Sequence, residues 1–210
     1  MTTVTAGPPR PVRGSGVRDA ILDVAAAQFA EHGIRAVSAD RILAEAGFSK
    51  VTFYRHFPTK DDAVVAYLER ELARVRAVIE ASAADDIDLG ALSAALTEEM
   101  CRPHFRGCPF INAAAEYPDP EHPVRRVVAD FRALMLGAID AWLERRGVRE
   151  RAALAEQIMM LRDGALVAGY LDHDPDGVAR ALAGAIGALV DDAVDDAVDE
   201  AVGDGVEDAS

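Results

Sequence analysis

Residues 38–57 of the chain, SADRILAEAGFSKVTFYRHF, decide the fold. Their first half predicts a short helix, because Ser38 is a favourable N-cap residue and the apolar side chains that follow share one helical face. Those side chains are Ile42, Leu43 and Ala46. Gly47 then supplies a residue that readily adopts the left-handed conformation common at the end of a helix.

A second short helix follows at once in the same stretch. Ser49 is its predicted N-cap, Pro58 ends it, and the spacing places Val51, Tyr54 and Phe57 on a predicted inner face. Two helices joined by about three residues around a glycine form a helix-turn-helix, whose second helix can lie in the major groove of DNA. An ordinary helical hairpin inside a larger core is the alternative interpretation.

A longer segment, from Val17 to Leu68, resembles the DNA-binding domain of the TetR family of bacterial regulators. The resemblance rests on three patterns: AxxxFxEHG from Ala25, SxxxIxxxAGFS from Ser38, and TFYRHFPTKDD over residues 52–62. Val51 departs from the family, in which many members carry glycine, and this bears on the base that the position would read. The resemblance implies an all-α protein that binds a double-stranded DNA operator, responds to a small-molecule effector and forms a homodimer through its last two helices.

The resemblance also implies a set of DNA-contacting residues on and beside the second helix of the motif. We expect Tyr54, Arg55 and Lys60 to contact mainly the DNA backbone, and Lys50 to Thr52 to reach base edges. Phosphate contacts position a protein on DNA, whereas base contacts give specificity. The full predicted set is Ser38, Arg41, Ser49, Lys50, Val51, Thr52, Tyr54, Arg55, His56 and Lys60.

The distribution of charge bears on this prediction. The net charge of −14 over 210 residues, taken alone, argues against nucleic-acid binding. Residues 1–60, however, carry eight Lys and Arg against five Asp and Glu, a net charge of +3, so the remainder carries −17. The helix-turn-helix therefore lies in the basic part of an acidic chain.

The first residues of the chain have a different character. Residues 1–16 contain three prolines, three glycines and no apolar periodicity, which predicts a flexible basic arm. Arg10 and Arg13 would give this arm phosphate or minor-groove contacts, and a solvated tail is the alternative. Because no segment resembles a signal peptide or a membrane span, we expect a cytoplasmic protein with reduced cysteines and no membrane partner.

The remaining sequence predicts an all-α fold of about nine helices, since no run of strand alternation occurs in it. We predict four parts: the arm at 1–16, the helix-turn-helix domain at 17–62, a helical ligand-binding and dimerisation domain at 63–190, and an acidic tail at 191–210. Thr59 and Asp62 form a capping box that begins the fourth helix. The tail holds nine acidic residues, and we expect it to fray because they oppose the helix dipole.

The last two helices carry the implied dimer interface on their apolar faces. On helix eight the predicted face is Leu154, Ile158, Leu161 and Ala165. On helix nine it is Val178, Leu182, Ile186 and Leu189. Packing of these faces within a single chain is the alternative interpretation.

Sequence motifs of catalysis are not found: there is no phosphate-binding glycine loop, nucleophile elbow or HExxH pair. We therefore expect neither an enzyme nor a cofactor. The nearest cluster is Cys101, His104 and Cys108, which could bind a soft metal ion with His122 or His173 as fourth ligand.

Cys108 also has an individual interpretation, because it directly precedes Pro109, a residue favoured at the first position of a helix. A helix N-terminus favours a reactive thiol, and a small buried apolar side chain is the alternative.

We expect a ligand pocket among helices five to eight, with a mostly apolar lining and a few polar groups. The predicted lining is Phe105, Cys108, Phe110, Asn112, Phe131, Met135, Trp142 and Met159. Each of these is also a plausible core residue, and periodicity does not separate the two roles.

These observations predict a ligand-responsive DNA-binding transcriptional regulator, a repressor that a small molecule releases from a palindromic operator. Two alternatives stay open: a thiol- or metal-responsive regulator on the same scaffold, and an architectural DNA binder without a ligand. A cavity within residues 88–171 distinguishes them, because an architectural binder would have a filled core.

Overall fold

The computed structural model describes residues 16–82, 88–102, 105–172 and 174–207, and for residue 172 and residues 196–207 it describes the backbone alone. Over these ranges the regular secondary structure is entirely helical, which confirms the predicted all-α fold. The helices are α1 Val17–His32, α2 Ala39–Ala46, α3 Lys50–His56, α4 Lys60–Ser82, α5 Leu89–Met100, α6 Pro109–Glu116, α7 Pro123–Arg145, α8 Arg151–Asp172 and α9 Pro175–Glu207. None of these helices is long and apolar enough to cross a lipid bilayer. The predicted arm, apart from Gly16, lies outside the described residues.

The chain divides into two compact units, and the division falls inside α4, between Tyr67 and Leu68. The N-terminal unit contains α1, α2, α3 and the start of α4. Helix α1 contributes a buried stripe to its core, and the ring of Phe29 in that stripe lies 5.6 Å from the ring of Tyr67. The buried stripe of α1 is Ile21, Leu22, Ala25 and Phe29.

Short-range hydrogen bonds fix where the helices of the N-terminal unit begin. The hydroxyl oxygen of Ser38 accepts a bond of 3.2 Å from the amide of Arg41, and that of Ser49 accepts an equal bond from the amide of Thr52. Gly47 has a φ of 71°, the left-handed conformation in which a side chain would be strained. The predicted caps of α2 and α3 are therefore confirmed.

The start of α4 is fixed by the predicted capping box. The amide of Thr59 donates to Asp62 Oδ2 over 2.8 Å, and the amide of Asp62 donates to Thr59 Oγ1 over 3.1 Å. Two amides that the helix itself leaves unpaired are thereby satisfied by each other's side chains.

The predicted inner face of α3 is wrong at two of its three positions. Val51 and Tyr54 are 78% and 48% exposed, whereas Phe53 and Phe57 are almost completely buried. Residues three apart differ by about 300° around a helix, so residues at i, i+3 and i+6 do not stay on one face. Residues four apart differ by only about 40° and share a face. Phe53 and Phe57 accordingly share the inner face, with ring centroids 5.5 Å apart.

The C-terminal unit contains the rest of α4 and helices α5–α9, and its hydrophobic core cluster corrects the predicted dimer faces. Leu154, Ile158 and Ala165 of α8 are buried in this cluster with Leu182 and Ile186 of α9. The other three predicted interface residues pack against the same cluster; they are Leu161, Val178 and Leu189. These faces are thus the chain's own core, because each helix offers its most apolar stripe first to its neighbour in the same chain.

The predicted fraying from Asp191 is also wrong, since α9 continues to Glu207. Val190 is buried in the core cluster, and Val194 one helical turn later packs against it with Ala193. The four-residue valine repeat therefore extends the packed stripe beyond the start of the acidic segment.

The corrected face of α3 gives a testable prediction. Phe53→Ala should lower the free energy of unfolding by about 3 to 5 kcal/mol, because it removes a fully buried ring. Val51→Ala is the matched control and should change it by less than about 0.5 kcal/mol, as expected for an exposed side chain. Urea denaturation followed by circular dichroism measures both, and equal losses would contradict the assigned face.

Candidate DNA-binding surface and ligand pocket

The surface around α2 and α3 holds all ten residues that the sequence predicts to contact DNA, and none of them is buried. Thr52, His56 and Lys60 are half-buried. The exposed residues are Ser38, Arg41, Ser49, Lys50, Val51, Tyr54 and Arg55. Because α3 presents apolar, aromatic and cationic side chains together, it has the groups needed for base-edge, sugar and phosphate contacts.

Lys50, the first residue of α3, forms an ion pair with a residue of α2. Its ammonium lies 2.8 Å and 3.0 Å from the two carboxylate oxygens of Asp40, and this hydrogen bond and charge raise the pKa of Lys50 above its usual value. Both side chains are mostly exposed, so the pair is open to exchange with an external phosphate.

Lys60 makes contacts within the N-terminal unit. Its ammonium donates to the backbone carbonyl of Ile34 over 2.6 Å and to that of Arg35 over 3.4 Å. The first residue of α4 is thus tied to the loop between α1 and α2.

His56 differs from its neighbours on α3. Its Nε2 atom is buried and has no hydrogen-bond partner among the described residues. A contact between this nitrogen and DNA therefore requires the imidazole ring to turn outward.

The C-terminal unit contains a pocket of about 530 Å³ between α6, α7 and α8. This volume lies in the range typical of small-molecule sites. Most of the wall is apolar, and two of its phenylalanine rings are stacked with centroids 3.9 Å apart and planes 3° apart. The apolar lining is Phe110, Ile111, Ala114, Val128, Phe131 and Val167.

The polar part of the wall is formed by Arg125, Arg132 and Asp163, with Gly164 beside them. Arg132 Nη1 donates to Asp163 Oδ2 over 2.9 Å. Arg125 Nη1 donates instead to the backbone carbonyls of Ala114 and Tyr117, over 3.2 Å and 3.4 Å, at the end of α6. The pocket thus combines an apolar wall with a few charged groups.

Two of the eight residues predicted to line the ligand pocket, Phe110 and Phe131, line this one. Trp142 lies in the hydrophobic core cluster and Met159 is completely buried. Asn112 Nδ2 donates to the carbonyl of Arg106 over 2.9 Å. The other predicted residues are Phe105 and Met135, both half-buried, and Cys108, which is buried.

The sequence reasoning missed the charged residues of the pocket. A usable signal exists in α7, where Arg125, Val128 and Arg132 follow at i, i+3 and i+7 and so share one helical face. Arginines on an otherwise apolar helical face indicate a ligand cavity better than apolar residues alone. A charged group rarely faces a closed core, because a buried charge needs a partner.

The cysteines lie in different surroundings. Cys108 is the N-cap residue of α6, as predicted, and its Sγ lies 3.9 Å from Arg162 Nη2, whereas Cys101 is exposed at the end of α5. Within the described ranges, no three His, Cys, Asp or Glu side chains are grouped closely enough to bind a metal ion. His104 and His173, two of the suggested ligands, lie outside those ranges.

Comparisons with known proteins agree with this arrangement. Residues 21–67 match the family model described as bacterial regulatory proteins, tetR family. The chain is 28% identical to the HTH-type transcriptional repressor KstR2 of Rhodococcus jostii, over 73% of this chain and 78% of that protein. It is 30% identical to the transcriptional regulator AcuR of Cereibacter sphaeroides, over 82% of this chain and 77% of that protein.

A solved structure extends the likeness to the fold of both units. The crystal structure of a TetR-family transcriptional regulator from Streptomyces coelicolor is 36% identical and superposes with a TM-score of 0.78. The match covers 84% of this chain and 95% of that one. The helix-turn-helix, the helical C-terminal unit and these relatives together place the chain in the TetR family of DNA-binding transcriptional regulators.

Proposed function

We propose that the protein is a ligand-responsive repressor, which binds a palindromic operator as a homodimer and leaves it when a small molecule enters the pocket between α6, α7 and α8. The pocket is the observation that carries the proposal. An architectural DNA binder would fill this space with side chains, whereas a cavity of about 530 Å³ with apolar and charged walls suits a small molecule. The relative from Rhodococcus jostii is named a repressor, which supports the direction of regulation. We propose that this protein acts in the cytoplasm, where bacterial DNA lies.

Dimerisation is supported by the apolar side chains that α8 leaves exposed. Met160, Val167 and Leu171 are 61%, 46% and 63% exposed, and their spacing of seven and four residues puts them on one line along the helix. On α9, exposed Ala181, Gly184 and Ala188 would allow a second copy to approach closely. A symmetric interface of this kind presents two recognition helices to a DNA sequence with matching two-fold symmetry.

Coupling between ligand and DNA is proposed to pass through α4. This helix begins in the N-terminal unit, where Lys60 and the Thr59–Asp62 capping box hold its first turn, and continues into the C-terminal unit from Leu68. A ligand shifts DNA affinity only if it binds two conformations with different affinity. A coupling of roughly 1 to 3 kcal/mol would change operator affinity by about 5- to 150-fold.

The thiol-responsive alternative has one observation in its favour, the Arg162 guanidinium beside Cys108 Sγ. Cys108 is buried, however, so an oxidant reaches it only after local opening. Cys108→Ser separates the two triggers: release by a non-covalent ligand should persist, and a response to oxidants should disappear.

The first functional prediction concerns DNA contacts. After the operator has been identified by random-sequence selection, Arg55→Ala should weaken binding to all sequences and reduce the salt dependence by about one ion, because it removes a phosphate contact. Thr52→Ala should mainly relax the preference at one base pair. Fluorescence anisotropy with operator and scrambled DNA at several salt concentrations measures both changes. Unchanged binding in both variants would contradict the proposed orientation of α3.

The second prediction concerns assembly. Leu171→Glu should produce monomers that keep their helix content and lose specific operator binding, because it places a charge on the proposed two-fold interface. Val78→Glu makes the same kind of change at an exposed apolar residue of α4 and should leave the dimer intact. Light scattering after size-exclusion chromatography measures the mass, and a monomeric wild-type protein at micromolar concentration would remove this part of the proposal.

The third prediction tests the pocket itself. Ala114 of α6 lines it and is half-buried, so Ala114→Phe should place a ring in the cavity. Ala115→Phe is the matched control, since its side chain is exposed on the same helix and is not part of the lining. Both variants should bind operator, and only the control should be released by a metabolite that releases the wild type. Normal release of the Ala114 variant would show that effectors act elsewhere.

A further inference from the structure

The pocket wall carries more positive than negative charge. Arg125 and Arg132 line it, and Arg162 lies directly behind, with its guanidinium carbon 5.2 Å from the ring centroid of Phe131. Among the described residues, Asp163 is the one carboxylate in the lining. Glu156 lies farther out, mostly exposed, at 3.9 Å from Arg132 Nη2, and adds little compensation.

Each carboxylate oxygen of Asp163 accepts a hydrogen bond from one of these arginines. Its Oδ2 accepts from Arg132 Nη1 over 2.9 Å, and its Oδ1 accepts from Arg162 Nη1 over 2.8 Å. One negative charge is therefore shared by two positive charges. Asp163 holds both guanidinium groups in place but neutralises only one of the two charges.

Arg125 has no carboxylate partner among the described residues. Its Nη1 donates to the carbonyls of Ala114 and Tyr117, which orient the side chain without cancelling its charge. A guanidinium has five N–H donors, so Nε and Nη2 keep donors for another acceptor. A half-buried guanidinium on an apolar wall is best stabilised by an anion, and its planar fork matches a carboxylate.

The stacked rings of Phe110 and Phe131 favour an apolar group on the ligand beside the anion that Arg125 favours. Both rings are buried and nearly parallel, stacked on each other, and Val128 lies between the two arginines in the sequence of α7. Such a wall favours an apolar group, because its burial removes apolar surface from water.

We propose that the effector is an organic anion, a carboxylate on an apolar body, with the carboxylate at Arg125 and the body against the apolar wall that includes Phe110, Val128 and Phe131. The inference rests on the proposed function, in which this pocket is the effector site. The positive wall disfavours a cation of the same shape, and a neutral amide keeps the shape but loses the charge-assisted hydrogen bonds.

Calorimetry on the full chain without DNA tests the proposal independently of repression. The probes are benzoate, phenylacetate, 3-phenylpropanoate, cinnamate and 2-naphthoate, each paired with its primary amide. At least one carboxylate of this size series should bind about tenfold or more tightly than its amide, the difference expected for hydrogen bonds to a charged group. If no carboxylate binds more tightly than its amide, the assignment of an anion is overturned.

Variants assign the effect to the proposed residues. Arg125→Gln should remove most of the preference for the carboxylate, Arg125→Lys should keep part of it, and Arg126→Gln, the same charge change on an exposed neighbour, should keep all of it. Asp163→Asn should strengthen carboxylate binding, because it removes a negative charge from the lining, and damage to the fold would not produce that sign. Equal losses in the Arg125→Gln and Arg126→Gln variants, or weaker binding by Asp163→Asn, would overturn the proposed geometry.

The same probes with operator present separate this inference from the proposed function. A carboxylate that binds the pocket and leaves DNA affinity unchanged supports the anion site and contradicts ligand-induced release. Release by a neutral or cationic compound, with no carboxylate binding, supports the repressor and contradicts the anion site.

Discussion

Burial of Phe53 and Phe57 is the interaction on which the DNA-binding surface depends. Helix α3 is seven residues long, and a helix of that length is unstable alone in water because the cost of nucleation is spread over too few hydrogen bonds. The Ser49 cap satisfies one amide, but tertiary packing must supply most of the stability. With its two phenylalanines inside, α3 has a fixed rotation, and Val51, Tyr54 and Arg55 are presented outward together.

The same unit fixes the position of α3 relative to its neighbours through polar contacts at the helix ends. Lys50 is paired with Asp40 of α2, and Lys60 is bonded to the loop that precedes α2. These links connect the first residues of α3 and α4 to one another through the α1–α2 region. A surface that must match the spacing of DNA phosphates needs such connections, because side chains on loosely held helices would lose entropy on binding.

Charge is distributed for two different purposes in an acidic chain. Around the helix-turn-helix the exposed cations suit the phosphates of the DNA backbone. Their attraction to phosphates acts over a long range, and the resulting binding weakens as salt is added. In the pocket, by contrast, Arg132 and Arg162 share Asp163 in a partly apolar setting, where an ion pair is less screened than at the surface. The net charge of −14 indicates neither site, since both depend on where a few arginines and lysines lie.

Local interactions are what the sequence by itself determined. The caps at Ser38, Ser49 and Thr59, the left-handed Gly47 and the start of α6 at Pro109 involve residues at most four positions apart, so all were predictable and are confirmed. The helices of the described residues and the family follow from such signals and from the motif at residues 38–57.

Which side of each helix faces inward was decided only by the tertiary structure. An apolar stripe such as Leu182 and Ile186 suits a dimer interface and a monomer core equally, and here it is core. The pocket could not be read from periodicity either, because Arg132 and Asp163, which meet in its wall, are 31 residues apart on different helices. Burial and charge pairing depend on residues that are distant in the chain. A single sequence contains both residues of such a contact, but it does not show that the two are in contact.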